Sequence, residues 1–358
     1  MLSFVSALEA QKMKQAGWQL EQLVEKCETQ VMGTLGCSAL RARELRRKWC
    51  ESRSSELVFQ LASQMARTER LATGFDGLDE ALGGGVRRGG LTEVAGRAGS
   101  GKSQWCTQLA AHCASSTGAV VYIDTEGSFR ADRLTQIAKE RRWVATKTET
   151  KDMLERVYVL RPPTAEALLA LLHGSVQKQI QETEAVLVIL DSVAALARGD
   201  FIGRKIFDRQ AWLAAAAAAL KALAHRQNVA VLVTNHVVAD FGHHGDRVNP
   251  ALGLLWSHCV TTRCFFLRND NNNNQEAPPD DDQNSGGLPA SKRKRIYRQT
   301  GIATVEKAPD LPKTTVSYCI EAGGLVNNSR QEEEEDDGEE FYYDENNKKR
   351  QLLEPAEQ

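Results

Sequence analysis

At 358 residues, 42% hydrophobic and 26% charged, the chain has the composition of an ordinary soluble protein, with room for one large domain and a small one. Its formal net charge of -2 conceals an asymmetry: segment 331–358 carries 12 acids and 3 bases, which leaves residues 1–330 at about +7. A mildly basic body is compatible with a nucleic-acid partner without requiring one. No apolar run reaches the ~18 residues of a membrane span, nothing resembles a signal peptide, and the eight cysteines show neither a CxxC pair nor metal-ligand spacing. Membrane spanning, secretion and structural zinc are set aside, and reduced thiols are expected.

Residues 1–50 read as a small helical domain. Apolar residues recur at helical spacing through Leu2–Trp18 and Leu20–Met32, and Thr34–Cys50 follows with Gly36 in a turn and Ser38 as an N-cap. A Leu-Gly-Cys-Ser turn ahead of a basic helix is similar to a helix-hairpin-helix. In that reading backbone N–H groups with Arg41, Arg43, Arg46, Arg47 and Lys48 hold a nucleic-acid phosphate. A solvated basic face on a small bundle fits the same residues. Residues 51–70 form a polar linker with one apolar patch, Leu57–Ala62.

The core is expected over 71–326. Gly83–Gly85 and Gly89–Gly90 mark turns before a short strand, Leu91–Gly96, which runs into Gly96, Arg97, Ala98, Gly99, Ser100, Gly101, Lys102 and Ser103. Two glycines separated by four residues and followed by Lys and Ser form the phosphate-binding P-loop pattern. Successive N–H groups can point into one concavity, and a helix over Ser103–Ser116 adds the positive end of its dipole. Lys102 then neutralises the β- and γ-phosphates, and the Ser103 hydroxyl takes a Mg²⁺ position.

Strands are expected at Ala119–Ile123, Val157–Pro162, Ala185–Leu190 and Val229–Val237, separated by helices at Ala131–Trp143, Thr164–Glu182 and Arg209–Gln227. This alternation predicts an α/β fold, its mostly parallel central sheet covered on both faces and its chemistry at the strands' carboxyl ends. Cys259–Arg268, Ile296–Ala308 and Thr314–Val326 read as an antiparallel addition at the sheet edge. Within this addition, 269–295 is of low complexity and is expected to be disordered; its Lys292–Arg295 run fits a nuclear address, a DNA contact or solubilising charge. Residues 327–358 form an acidic tail, expected to be a disordered interaction segment.

Three strand ends carry chemistry. Asp191, behind an apolar strand, can hold Mg²⁺ through Ser103 or water. Glu126, past the tip of the neighbouring strand, can orient a water for in-line attack, or merely cap the next helix. His236, after Asn235, stands where a γ-phosphate sensor would sit.

Taken in order, Gly96–Ser103, Val120–Leu134, Leu187–Ala194, Arg198–Gln210, Leu232–Asn235 and Asn249–Arg268 resemble the RecA-like P-loop ATPase core of the eukaryotic strand-exchange recombinases. Gly245–His258 more closely resembles their paralogues, the repair mediators of the third X-ray-cross-complementing type. The resemblance implies a nuclear ATP-binding protein of homologous recombination repair, using ATP and Mg²⁺; slow hydrolysis is expected from the departures at His236 and the second loop. Its partners would be single-stranded DNA, another recombinase paralogue in a hetero-oligomer, and a strand-exchange recombinase, with no membrane. Glu126 would be the hydrolytic carboxylate and Arg133 would lie against the adenine. A first DNA loop would span Arg198–Arg209, with Arg204 on a phosphate, and a second Val238–Leu254. Ala308–Lys313 would approach nucleotide across a subunit boundary, and Phe59 with Ala62 would either dock on a neighbouring subunit or pack locally. On their own residues, Arg198, Arg204, Lys205 and Arg209 with Phe201 and Phe207 combine cations and aromatics as a strand-tracking surface does, although the phenylalanines can equally tuck inward. The recombinases place Gln where this chain has His236, and His243, His244 and Asp246 make the second loop less suited to DNA.

Overall fold

A computed structural model describes residues 4–18, 20, 22–26, 28–54, 69–116, 118–201, 206–239, 248–269 and 299–328. They fall in two compact units, Met1–Arg67 and Thr68–Gln358. Among the described residues no helix is long and apolar enough to cross a membrane, and the seven cysteines are free thiols. Arg204, Lys205, Phe59, Ala62, Lys292–Arg295 and the acidic tail lie outside the described residues.

The first unit holds α1 (Ala7–Gln15), α2 (Gln22–Glu25), α3 (Glu28–Leu35) and α4 (Ala39–Ser54) around Met13, Leu23, Val31, Leu35, Ala42 and Leu45. Ser6 and Glu9 form a capping box at α1, and Ser38 Oγ accepts from the Arg41 N–H at α4. Several basic residues of α4 have acidic or carbonyl partners within this unit, Arg43 and Arg47 while largely exposed. Arg41 pairs with Glu9 at 2.9 Å and with Glu44, Arg43 with Glu28, Arg47 with Glu51 and Lys48 with Glu44, while Arg46 donates to the Val24 carbonyl. The Arg41 guanidinium holds the Glu9 carboxyl down at about 2. Such pairs each contribute at most ~1 kcal/mol. They show α4 as a basic helix face with local acidic partners, which fits either a phosphate contact or a solvated face.

In the second unit β1 (Arg70–Leu71) pairs with β2 (Val86–Arg87) around α5 (Asp76–Ala81), whose Asp79 accepts from the N–H groups of Thr73 and Gly74. Next come β3 (Leu91–Gly96), α6 (Lys102–Ser116), β4 (Val120–Asp124), α7 (Ala131–Glu140), α8 (Lys147–Glu155) and β5 (Val157–Leu160). They are followed by α9 (Ala165–His173), α10 (Ser175–Thr183), β6 (Leu187–Asp191), α11 (Val193–Gly199), α12 (Ile206–Gln227) and β7 (Ala230–Asn235). A short hairpin, β8 (Val237–Ala239) and β9 (Val248–Pro250), leads to α13 (Gly253–Cys259), then β10 (Thr262–Arg268), β11 (Gln299–Lys307), β12 (Thr314–Glu321) and β13 (Gly324–Asn327).

One nine-stranded sheet runs β13-β12-β11-β10-β3-β7-β6-β4-β5. Neighbours from β10 to β5 are parallel, and β11, β12 and β13 add antiparallel strands at one edge. The expected α/β architecture with its antiparallel edge is therefore present. Every residue of β3, β4, β6 and β7 is buried, as strands covered on both faces require. One covering layer is built on Trp105, Leu109, Phe266 and Tyr318, the other on Trp212, Leu213, Leu220 and Trp256.

Three local features depart from the expected elements. The helix Thr164–Glu182 is broken at Gly174, whose φ of -127° and ψ of -91° lie outside the helical region. The helix α8 is additional, started by a capping box between Thr146 and Glu149. The helix α11 is additional and α12 begins three residues before the expected Arg209, which together shorten the expected first loop.

Phe266 packs with its ring centroid 5.5 Å from Trp105 and 5.4 Å from Tyr318, joining β10 to α6 and the edge strands. We predict that Phe266→Ala costs about 3–5 kcal/mol in urea unfolding. Leu254→Ala, at a side chain 74% exposed, should stay within about 0.5 kcal/mol. Equal effects would contradict this core.

Candidate nucleotide-binding site

The loop 96–103 leaves β3 in the middle of the sheet, between β10 and β7. Gly96 is required by close approach, since a Cβ there would run into the Phe266 carbonyl oxygen on β10. Gly101, at φ +89°, occupies backbone space that side chains rarely enter. The Tyr318 hydroxyl donates to the Ser100 carbonyl at 2.6 Å, and the Gln299 side chain donates to the Gly99 carbonyl, so the edge strands buttress the loop from outside. Ser100 Oγ is buried without a partner.

Lys102 opens α6 and folds over the loop, donating from Nζ to the Gly96 and Arg97 carbonyls, each at 2.9 Å. Burial pushes its ammonium pKa down, and the charges of Asp191 and Glu126 oppose that shift. The two acids therefore stand on the same side of the molecule as the lysine. Asp191 ends β6 and is buried; its carboxylate accepts from Tyr122 Oη on β4 at 3.0 Å and from Thr234 Oγ1 on β7 at 2.5 Å. Ser103 is the second residue of α6, beside Lys102. A hydroxyl and a carboxylate are the hard oxygen donors Mg²⁺ takes, usually together with phosphate oxygens. Among the described residues no group of three His, Cys, Asp or Glu could hold a metal by itself, so a cation here would share its ligands with a phosphate.

Glu126 lies past the tip of β4, and two side chains hold it. Ser192 Oγ donates to Glu126 Oε1 at 2.6 Å, and His236 Nε2 lies 2.9 Å from the same oxygen. The His236 hydrogen bond, with Ser192 and the charge of Arg198 adding to it, outweighs burial and holds the carboxyl at about 2. The candidate hydrolytic carboxylate and the candidate phosphate sensor are thus in direct contact. Ser192 also caps α11 by accepting from the Ala195 N–H at 3.2 Å. Thr125 Oγ1 is 2.7 Å from both the backbone N and the carbonyl O of Ser192, which fixes the tip of β4 against that of β6.

Other expected residues are placed differently. Arg133 uses its guanidinium on Gln104 Oε1 (2.8 Å), Gln136 Oε1 (2.8 Å) and the carbonyls of Ala322 (2.7 Å) and Glu321 (2.9 Å). Four of its five N–H donors are thereby engaged within the chain, and its flat face is left for a base. Arg209 donates to the Ala197 carbonyl at 3.2 Å and the Ala251 carbonyl at 3.3 Å, joining the end of α11 to the residues that lead into α13. Arg198, in the last turn of α11, is exposed. Phe201 turns inward, its ring centroid 5.6 Å from Trp212, whereas Phe207 is 78% exposed. Asp310, within 308–313, pairs with Arg70 of its own chain at 2.7 Å.

Tyr122, Thr234 and Ser192 support the site without having been singled out in the sequence. Thr234 lies in Leu232–Asn235, where a small β-branched residue before Asn was the available signal; nothing in the sequence distinguished Tyr122 from the rest of its strand.

A parallel sheet with a P-loop leaving its central strand, an acid at the adjoining strand tips and an antiparallel edge defines a P-loop nucleotide-binding α/β protein. The Rad51 family model matches residues 64–277, more than half of the chain, and the chain belongs to that family. DNA repair protein RAD51 homolog 2 of Mus musculus is 37% identical over 226 residues, 54% of this chain and 64% of that protein. The meiotic recombination protein DMC1 homolog of Glycine max is 33% identical over 268 residues, 72% and 68% of the two chains. DNA repair protein RAD51 homolog B of Zea mays is 33% identical over 279 residues, 74% and 80%. The chain thus spans a little under two thirds of the mouse relative.

Because the folded-state pKa of Glu126 lies below its ordinary value of 4.5, the contact with His236 contributes stability above about pH 4.5 and loses it as the pH falls toward 2. In a carboxyl-carbon NMR titration we predict a Glu126 midpoint near 2 that rises toward 4.5 in His236→Ala. An unchanged midpoint would refute the contact.

Proposed function

We propose that this chain is an ATP-binding recombinase paralogue acting in homologous recombination repair in the nucleus. In this reading it binds single-stranded DNA and assembles with another paralogue to assist a strand-exchange recombinase. The observation that carries the reading is the Glu126–His236 contact, 2.9 Å, at the mouth of a P-loop. Gly96–Ser103 would cradle the ATP phosphates and Lys102 would leave the loop carbonyls for the β- and γ-phosphates. Ser103 and Asp191 would hold Mg²⁺, which supplies neutralisation of phosphate charge when bound. Glu126 would orient the attacking water and Arg133 would lie along the adenine. Arg198, Arg204 and Lys205 would track the DNA backbone, with the exposed Phe207 beside them; Arg209 is better read as the strut joining the two loops.

Within the family we place the chain nearest the mediators of the third X-ray-cross-complementing type. Gly245–His258 supports this, as does His236 in place of Gln. With Glu126 engaged at rest by both His236 and Ser192, water activation waits on a rearrangement, which fits slow hydrolysis. A subunit with two unlike faces would join a paralogue head to tail, forming a short hetero-oligomer or capping a filament.

We predict that Lys102→Ala abolishes ATP binding. Glu126→Gln should keep it while lowering turnover by about 10²-fold, the scale of a general-base contribution. Equal turnover in Glu126→Gln and wild type would reduce the nucleotide to a structural ligand. Electron microscopy of the pure protein on single-stranded DNA with ATP should show no regular filament; filaments with strand exchange would overturn the mediator reading.

A further inference from the structure

Glu93, on β3, is fully buried and plays no part in the nucleotide chemistry proposed above. Its carboxylate joins three other elements. Oε1 accepts from Asn235 Nδ2 at the tip of β7 (2.7 Å) and from Trp256 Nε1 on α13 (2.9 Å), and Oε2 accepts from Arg263 Nε on β10. A buried ion pair gives little or no stability beyond that of well-packed apolar residues of the same volume. Stability alone is therefore a weak reason for this arrangement, and its geometry is the better one.

Asn235 immediately precedes His236, whose ring meets Glu126. The His236 carbonyl accepts from the Ala251 N–H at 2.8 Å, and Ala251 leads into α13. The returning foot of the β8–β9 loop is thus pinned twice: at Ala251 by the backbone of His236, and at Trp256 by the same oxygen that holds Asn235. Asn235 Oδ1 and Arg263 Nη2 are buried without partners, so the network is not fully satisfied in this arrangement.

We propose that Glu93 is a positioning residue: by holding Asn235 and Trp256 on one oxygen, it sets His236 against Glu126 and makes the sensor respond to movement of α13. This rests on the reading of His236 and Glu126 as part of a nucleotide site. Glu93 touches no reacting atom and acts through Asn235.

The test is a double-mutant cycle on binding of mant-ATP with Mg²⁺, using the full chain. Trp256→Phe removes the N–H donor and keeps an aromatic ring; His236→Ala removes the sensor; the two side chains have no hydrogen bond to each other. Trp256→Phe should weaken binding about 5-fold in the wild-type background and less than about 2-fold in His236→Ala, the non-additivity expected of coupled positions. Glu93→Gln, which keeps the volume and one acceptor oxygen, should show the same dependence on His236 and serves if Trp256→Phe melts too early to assay. A merely structural role would lower the melting temperature yet weaken binding by the same factor in both backgrounds, and that result, or no weakening in either, overturns the proposal. Absence of mant-ATP binding by wild type would remove the nucleotide-site reading itself, and the positioning role with it.

Discussion

In-register parallel pairing of β4 with β6 sets Asp124 opposite Asp191, and the chemistry at the strand tips depends on how these neighbouring acids are told apart. Asp124 is neutralised locally: Arg161 donates to it at 3.0 Å, as do the N–H groups of Ser128 and Phe129, which shapes the turn that presents Glu126. Asp191 receives hydroxyls from Tyr122 and Thr234, which orient a carboxylate without cancelling its charge. One acid builds the turn, and the other keeps a charge that Lys102 feels across the mouth of the loop.

Seen this way, the resting site is a set of internal substitutes. Loop carbonyls occupy the ammonium of Lys102, and Glu126 is occupied by Ser192 and His236. A phosphate arriving on the loop would offer Lys102 a stronger partner than neutral carbonyls and would place a new acceptor near His236. Through the His236 backbone the same event reaches Ala251, and through Arg209 it reaches α12. Two hydrogen bonds at Ala251, one with the His236 carbonyl and one with Arg209, would carry that coupling.

Much of this was legible in the sequence because it is local. The run from Gly96 to Ser103 specifies a turn geometry, and apolar strands ending in Asp191 or Asn235 specify buried strands with polar tips. The alternating elements specify the parallel sheet. What escaped depends on tertiary partners. The intramolecular acceptors of Arg133 and Arg209, the carbonyls of Glu321, Ala322, Ala197 and Ala251, are not legible in the sequence because folding brings them together. The α4 cations looked free because Glu9 and Glu28 lie on other helices. Glu93 was invisible because an acid in a strand reads as a solvent-facing residue until Arg263 and Trp256 are seen to enclose it. The helix α8 was the avoidable omission, since Thr146 and Glu149 announce a capping box in the sequence itself.

The central expectation is that a terminal phosphate draws His236 away from Glu126. Its most direct test is imidazole NMR of the histidine-labelled protein, assigned with His236→Ala, in the presence of Mg²⁺ and ATP or ADP. ATP should shift the His236 resonances and ADP should leave them near their nucleotide-free positions. Identical spectra with the two nucleotides would contradict the claim that this histidine reads the third phosphate.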